Sequence, residues 1–421
     1  AVFEVRYGQV ILKNESALAD GVANNILSGL NTGDIIRTEP LESRLLQLSG
    51  VPGVSVKSTL VPGATLGTSD LIVEVLPGRS ISGSVDADNA GSRYTGEYRL
   101  GATVNLNNVT GRGDVASLRV LTSGSGMSYA RISYQVPVGK ASLGVAYSKL
   151  DYKLGREFES LGANGSAEVA SIYGSYPLIR SRNTNLSAQL AMDFRTFQDR
   201  IDSTSSVTDK KAQALTASLV GDHRDNIGRG GVTGYSVGLT SGNLDIETPA
   251  ARAFDAMTAQ TNGHYNKLAF SALRLQNLTE ILSLYGAISG QLASKNLDVS
   301  EKLALGGMYG VRAYPVGEAY ADEGYLATVE ARLLLARFSE NMAGQMHFVV
   351  FADTGTVTIN KDPWFVGENR RTLSGAGVGL TWTDPGNFAI RTYYAQKLGN
   401  EVATSAPDKS GRFWVQAVKY F

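Results

Sequence analysis

Cysteine is absent from this chain of 421 residues, so the chain can form neither disulfide bonds nor cysteine metal sites, and it has no thiol for catalysis. A cysteine-free chain is compatible with an oxidising compartment. Net charge is absent as well, because 39 Lys and Arg residues balance 39 Asp and Glu residues. No nucleic-acid partner is expected, since proteins that bind nucleic acid carry a basic surface.

Long apolar runs are also missing. No run reaches the roughly 18 apolar residues of a transmembrane helix, whereas a membrane β-barrel, whose strands alternate, stays compatible. The chain does not begin with a basic segment followed by an apolar one, so we expect any signal peptide to have been removed. Three histidines, His223, His264 and His347, lie far apart without metal-ligand spacing. Neither a metal nor another cofactor is expected.

The first 78 residues mix two periodicities. Alternation predicts a strand at 7–12, and apolar residues at every fourth position from Leu18 to Leu30 predict a helix. Thr38 is the predicted N-cap of a second helix. Two alternating stretches follow. Residues 1–78 are therefore predicted to form a small α+β domain with the order β-α-α-β-β and an open sheet edge.

Strict alternation begins after Gly78 and continues to the C-terminus. In the stretch 99–107, leucine, alanine and valine alternate with arginine, threonine and asparagine. Polar side chains at every second position do not fit a dry core, but they fit a barrel with a wet lumen and a lipid-facing apolar surface. The sixteen predicted strands lie near 80–87, 93–107, 113–123, 127–137, 140–152, 166–177, 184–200, 206–223, 230–244, 257–277, 280–296, 323–338, 343–357, 371–384, 386–398 and 411–421. Residues 79–421 are thus predicted to form a 16-stranded antiparallel outer-membrane β-barrel.

Short and long connections alternate along this barrel, as in outer-membrane proteins with short turns at one rim and long loops at the other. The longest loop, 297–322, contains Val311, Arg312, Ala313 and Tyr314. A loop of this length inside a compact domain is usually functional. We expect it to fold into the lumen.

A short motif on the strand near 343–357 is the predicted contact of this loop. Alternation places Phe351, Asp353 and Gly355 on one face, and the lumen is the favourable side for the carboxylate. Arginine can bond a carboxylate at two points. We therefore predict that Arg312 meets Asp353 inside the barrel and fixes the loop tip, with Gly355 leaving room for the loop.

Several stretches together resemble a known family. They are 88–96 (DNAGSRYTG), 106–108 (LNN) with 113–114 (GD), 175–182 (SYPLIRSR), 311–314 (VRAY) and 351–355 (FADTG). In combination they resemble the outer-membrane transporters of two-partner secretion, the TpsB family, within the BamA-like superfamily. The C-terminal Phe421 resembles the terminal aromatic residue of outer-membrane barrels in general, where it belongs to a signal read by the assembly machinery.

The resemblance implies a function and its partners. It implies that 1–78 is a periplasmic POTRA domain next to the barrel, and that it binds a secreted exoprotein of the TpsA type. It also implies a monomer in the outer-membrane lipid of a Gram-negative bacterium, placed there by barrel-assembly machinery. Family members usually carry two POTRA domains and a plug helix, so we expect this chain to be part of a longer protein.

Two features leave alternatives open. Ala313 stands where the family usually has glycine, so either the backbone there is ordinary or the loop tip is altered. The rival functions are a barrel-assembly factor of the same superfamily, a passive porin and an outer-membrane enzyme. For an enzyme we find no catalytic constellation: Gly234 to Gly238 fits a nucleophile-elbow pattern but lies in an alternating strand. Glu330 and Arg332 are interpreted as polar residues of the lumen wall.

Overall fold

The N-terminal domain has the predicted order of elements. In this computed structural model, which describes residues 4–421, the first three residues of the predicted domain 1–78 lie outside the described part. The elements are β1 (Arg6–Asn14), α1 (Asp20–Leu27), α2 (Thr38–Ser49), β2 (Val54–Pro62) and β3 (Thr68–Pro77). Strand β3 lies between its neighbours, parallel to β1 and antiparallel to β2. The sheet therefore has β1 and β2 as its edges, and the predicted α+β architecture is confirmed.

One local prediction in this domain was wrong. Thr38 is the first residue of α2, and the N-cap is Arg37, whose side chain makes no capping hydrogen bond. The apolar faces of both helices pack on one side of the sheet. The core of the domain consists of Tyr7, Leu18, Ala23, Ile26, Leu27, Leu30, Leu48, Val51, Leu71, Val73 and Val75.

Sixteen strands of the described chain form one closed antiparallel barrel, which confirms the predicted fold class. Its first eight strands are β4 (Ile81–Asp88), β5 (Arg99–Asn107), β6 (Val115–Thr122), β7 (Met127–Val138), β8 (Ala141–Lys153), β9 (Ala163–Arg180), β10 (Thr184–Ile201) and β11 (Ser206–Asp225). Next come β12 (Gly231–Ile246), β13 (Gly263–Asn277) and β14 (Leu282–Ala293). After a loop that holds the two-residue strands β15 (Leu303–Ala304) and β16 (Tyr320–Ala321), the barrel continues with β17 (Glu323–Leu334), β18 (Gln345–Thr358), β19 (Arg370–Asp384), β20 (Phe388–Lys397) and β21 (Gly411–Tyr420). The barrel closes where β21 pairs with β4.

Two strand starts differ most from the prediction, that of β5, at residue 99 instead of 93, and that of β13, at residue 263 instead of 257. Before β13 the chain forms a helix, α3 (Pro249–Met257), with proline at its start, where the missing N–H does no harm. The buried Asp255 side chain accepts hydrogen bonds from the backbone N–H groups of Thr261 and Asn262, which fixes the return to β13. Among the described residues, no helix is long and apolar enough to span a membrane.

The two faces of the barrel differ as the alternation predicted. Outward side chains such as Leu100, Ile132 and Val350 are large, apolar and exposed. Such a surface is the lipid-facing one of a membrane barrel. The N-terminal domain packs against the rim that carries the short turns: the Ala19 N–H donates to the Gly111 carbonyl at 2.8 Å. The long loops lie at the opposite rim.

Candidate functional site: a loop held inside the barrel

The connection between β14 and β17 folds back into the lumen. Its hairpin base is the pairing of β15 with β16. Beyond that base the chain forms a tight turn in which the Val311 N–H donates to the Leu305 carbonyl at 2.7 Å. Four apolar residues between positions 305 and 314 are completely buried, namely Leu305, Val311, Ala313 and Tyr314. They pack against Phe351, Leu373 and Ala395 of three successive wall strands. The loop tip therefore builds a small apolar core inside the barrel.

Arg312 and Asp353 form a two-point ion pair between this loop and β18. Nε of Arg312 donates to Oδ2 of Asp353 at 2.8 Å, and Nη2 donates to Oδ1 at 2.7 Å. The Arg312 backbone N–H adds a third bond to Oδ2 at 3.1 Å. The two side chains are 5% and 0% exposed, so salt screens the pair far less than it would a surface pair. The structure thus places these residues in contact.

Glu330 on β17 completes the clamp around the guanidinium group, a contact that the sequence interpretation missed. Nη1 of Arg312 donates to Oε1 of Glu330 at 2.8 Å. Nε of Arg332 donates to the other oxygen of Glu330, also at 2.8 Å. Glu330 is therefore more than lumen wall. Its register opposite Phe351 brings it to the loop, and a register cannot be read from alternation alone.

Aromatic residues enclose the remaining sides of Arg312. Its guanidinium carbon lies 3.4 Å from the centre of the Phe351 ring and 4.9 Å from that of Tyr393. Both distances fit cation–π attraction. The indole N–H of Trp414 on β21 donates to the Arg312 carbonyl at 2.7 Å. Arg312 is thus contacted by three separate wall strands besides β17.

Glycines on the wall make room for the loop. A Cβ on Gly375 would lie 2.4 Å from the Cβ of Ala313, and a Cβ on Gly355 would lie 2.7 Å from the Leu305 side chain. Ala313 does not adopt a positive φ, whereas Ala319 does, at 56°. The backbone at Ala313 is therefore ordinary, and the methyl group that replaces the family's usual glycine fits because Gly375 lacks a side chain.

Tyr314 lies next to β20 and the last extracellular loop. Its hydroxyl donates to the Glu401 carbonyl at 3.2 Å, and Nζ of Lys397 lies 4.7 Å from its ring centre. The face of the Phe351 ring is occupied by Arg312.

Glu318, on the returning arm of the loop, joins it to the loop before β21. Its buried carboxylate accepts hydrogen bonds from the backbone N–H groups of Thr404 and Ser405 at 2.9 Å, and from both hydroxyls. Arg371 supplies a further charged bond. Burial acts to raise the pKa of the Glu318 carboxyl, but the bonds from Ser405 and Arg371 outweigh it, and the pKa lies below its ordinary value.

The remaining sequence candidates lie apart from this cluster. Phe421 follows the end of β21, and its backbone exchanges hydrogen bonds with Gly83 of β4 at 3.0 and 3.1 Å. Ser236 of the elbow-like pattern lies within β12, where its hydroxyl contacts that of Ser271 at 2.7 Å. That setting is a continuous strand, and the elbow requires a sharp turn into a helix.

The family described as haemolysin secretion/activation protein ShlB/FhaC/HecB matches residues 67–382. The chain belongs to this family. Heme/hemopexin transporter protein HuxB of Haemophilus influenzae is 30% identical, over 98% of this chain and 73% of its own length. Outer membrane transporter CdiB of Dickeya dadantii is 23% identical, over 83% of this chain and 62% of its own.

A solved structure shows the same fold. CdiB from Escherichia coli superposes with a TM-score of 0.81 at 20% sequence identity, covering 100% of this chain and 77% of that one. The family match and the relative HuxB confirm the resemblance to two-partner secretion transporters. The protein is an outer-membrane translocator of the TpsB family, and its class is that of a secretion channel. The passive-porin interpretation does not account for this membership.

Proposed function

We propose that the protein exports an unfolded exoprotein from the periplasm to the cell surface through its lumen, and that the loop 297–322 is the gate. The observation that carries this proposal is the buried clamp of Arg312 by Asp353 and Glu330, which holds the loop inside a channel. A barrel of sixteen strands is wide enough to leave an aqueous pore. A resting pore of that width needs an occupant, and the loop supplies one.

The chemistry of the clamp suits a gate. A buried ion pair holds firmly while both partners are present, and removing one of them costs about 3–5 kcal/mol because the other charge stays buried and unpaired. The carboxylates of Asp353 and Glu330 can be hydrated once the loop leaves. Exposure of the apolar core of the tip to water costs free energy and favours the seated loop.

Capture of the exoprotein falls to the N-terminal domain, with β2 as the docking edge. Residues 33–36 already cover the first half of β1: the Tyr7 N–H donates to the Asp34 carbonyl at 2.9 Å, and the Gly33 N–H donates to the Tyr7 carbonyl at 2.8 Å. Strand β2 is the other edge of the sheet. An extended chain can add to such an edge through main-chain hydrogen bonds, which tolerate varied side chains.

Deletion of residues 302–321 tests the gate. Leu303 and Ala321 are paired, so their neighbours can be joined by a short linker while the barrel stays intact. We expect a folded barrel with a larger and steadier single-channel conductance in planar bilayers, and little secretion of the exoprotein partner. The relative HuxB is named for heme and hemopexin transport. An exoprotein that acquires haem is therefore the first candidate partner for the secretion assay.

The matched control removes 156–161, a 3-10 helical segment of 6 residues in the extracellular loop before β9 that has no buried side chains. The Leu154 N–H donates to the Ala163 carbonyl at 2.8 Å, so this excision also joins neighbouring points. The control should conduct and secrete like the unchanged protein. Unchanged conductance after deletion of 302–321 would show that the loop does not plug the lumen.

A further inference from the structure

The first arm of the loop, 294–302, crosses to a part of the wall that the tip does not touch. It leaves β14 and runs back along the rim over β13, β11 and β10. Its Glu301 is 4% exposed. Oε1 accepts a hydrogen bond from the Tyr265 hydroxyl at 2.8 Å, and Oε2 lies 2.6 Å from Nζ of Lys267. Arg195 of β10 pairs with Oε1 as well. One loop carboxylate therefore binds two wall strands.

Asp298 extends this contact to a third strand. Its Oδ2 lies 2.9 Å from Nζ of Lys210 on β11, and both side chains are mostly buried. Its Oδ1 accepts from the Ser300 backbone N–H at 3.1 Å, which caps the single helical turn 299–301. That cap sets the direction in which Glu301 points. Asp298 and Glu301, with the wall residues Arg195, Lys210, Tyr265 and Lys267, are called the root anchor below.

The root anchor and the Arg312 clamp share no residue and no strand. The clamp uses β17 and β18, with Trp414 of β21 behind it, whereas the root anchor uses β10, β11 and β13. In the closed barrel, β14 lies between the two sets. The loop is consequently held at two separate places on the wall.

We infer that Glu301 is a second positioning residue of the gate, which holds the first arm of the loop against β10 and β13 independently of the Arg312 clamp. The inference rests on the proposed role of the loop as a gate. Two carboxylates of the loop face three wall cations at the root anchor. Arg195 and Lys210 would keep the wall carboxylates of Asp193 and Asp199 if the arm moved away. The described ion pair of Lys267 is with Glu301, so the loss of that carboxylate would leave this mostly buried ammonium group uncompensated, which favours the docked arm.

Cysteine labelling tests this independence, because the chain contains no cysteine of its own. Leu297→Cys reports on the root and Val311→Cys on the tip, since these two side chains are 2% and 0% exposed. Each reporter is combined with Glu301→Gln or with Arg312→Ala, and its rate of reaction with a water-soluble maleimide is measured in folded, heat-modifiable barrels. Glu280→Gln, on an exposed periplasmic turn, is the matched control.

Glu301→Gln should raise the labelling of Cys at position 297 by about tenfold or more, because a charged hydrogen bond is worth at least that factor. Labelling at 311 should not change. Arg312→Ala should do the reverse, and Glu301→Asp should restore most of the protection at 297. Acceleration of both reporters by either variant would show that the loop moves as one unit and would overturn the inference, as would no effect of Glu301→Gln at 297.

No exoprotein takes part in the labelling reaction, so its outcome is separate from that of the secretion assay. An unchanged conductance after deletion of 302–321 would contradict the proposal that the loop is a gate, but the labelling could still test the root anchor. An enlarged conductance combined with unchanged labelling at 297 would support the gate and contradict only the role of Glu301.

Discussion

At the scale of single residues, Arg312 shows why a lysine cannot take its place. Its three nitrogen donors address two carboxylates, while its flat face lies on Phe351. A lysine ammonium group has the charge but neither the planar fork nor the stacking face. The specificity of this position therefore lies in geometry as much as in charge.

Single and double substitutions test whether secretion depends on the ion pair between Arg312 and Asp353. Arg312→Ala and Asp353→Ala should each reduce exoprotein secretion. The double variant should be little worse than either single variant, because each single change already breaks the same ion pair. Arg312→Lys should recover only part of the secretion. The measurement is secreted exoprotein at equal levels of folded barrel, with Arg337→Ala on an exposed turn as the control. Losses that add, or single variants that secrete normally, would contradict the role given to this pair.

The fit between Ala313 and Gly375 gives a second residue-scale prediction. Gly375→Ala should displace the loop tip, because the new Cβ would lie 2.4 Å from that of Ala313. Conductance should rise, and a second change, Ala313→Gly, should restore it. Gly286→Ala on β14 is the control, since a Cβ there meets nothing within 4 Å. Failure of Ala313→Gly to rescue would mean that the clash is relieved elsewhere.

At the scale of elements, the loop is tied to its neighbour by Glu318, and this tie should depend on pH. The pKa of Glu318 is lowered in the folded state, so its contribution is complete above the ordinary carboxyl pKa of about 4.3 and is lost as pH falls through the lower folded value. Conductance should therefore rise in acid below about pH 4. Glu318→Gln should conduct more already at neutral pH and lack that acid step. Identical pH profiles for the two proteins would contradict the prediction.

The helices and strands could be predicted from the sequence, whereas the side-chain contacts between them could not. In a stretch such as Arg99–Asn107, successive side chains face lipid and lumen in turn, so apolar and polar residues alternate. Each strand can therefore be recognised from its own sequence. Arg312 and Asp353 could be paired because each has an unusual local setting. Glu301, Glu318 and Glu330 look like ordinary polar residues in the sequence. Their contacts depend on strand register and on the path of the loop, which no local period encodes.

At the scale of the whole molecule, the N-terminal domain contacts the rim of short turns, whereas the loop 297–322 enters the lumen from the opposite rim. Deletion of residues 1–78 removes the domain and leaves β4 whole. We expect this variant to insert and to conduct but not to secrete the exoprotein, because the edge of β2 is lost. Secretion into the medium and heat-modifiable migration of the barrel are the two measurements. Normal secretion by the isolated barrel would show that capture does not need the domain.

The pairing of β21 with β4 also has a kinetic consequence. Asn89 and the Phe413 carbonyl, which share a hydrogen bond of 2.9 Å, are 324 positions apart in the chain. Contacts of such large sequence separation form slowly, since the entropy of closing the intervening chain must be overcome first. Trp414 of this last strand also supplies the bond to the Arg312 carbonyl. We therefore expect closure of the cylinder to be a late step of folding, and the same step brings Trp414 to the loop and completes its seating.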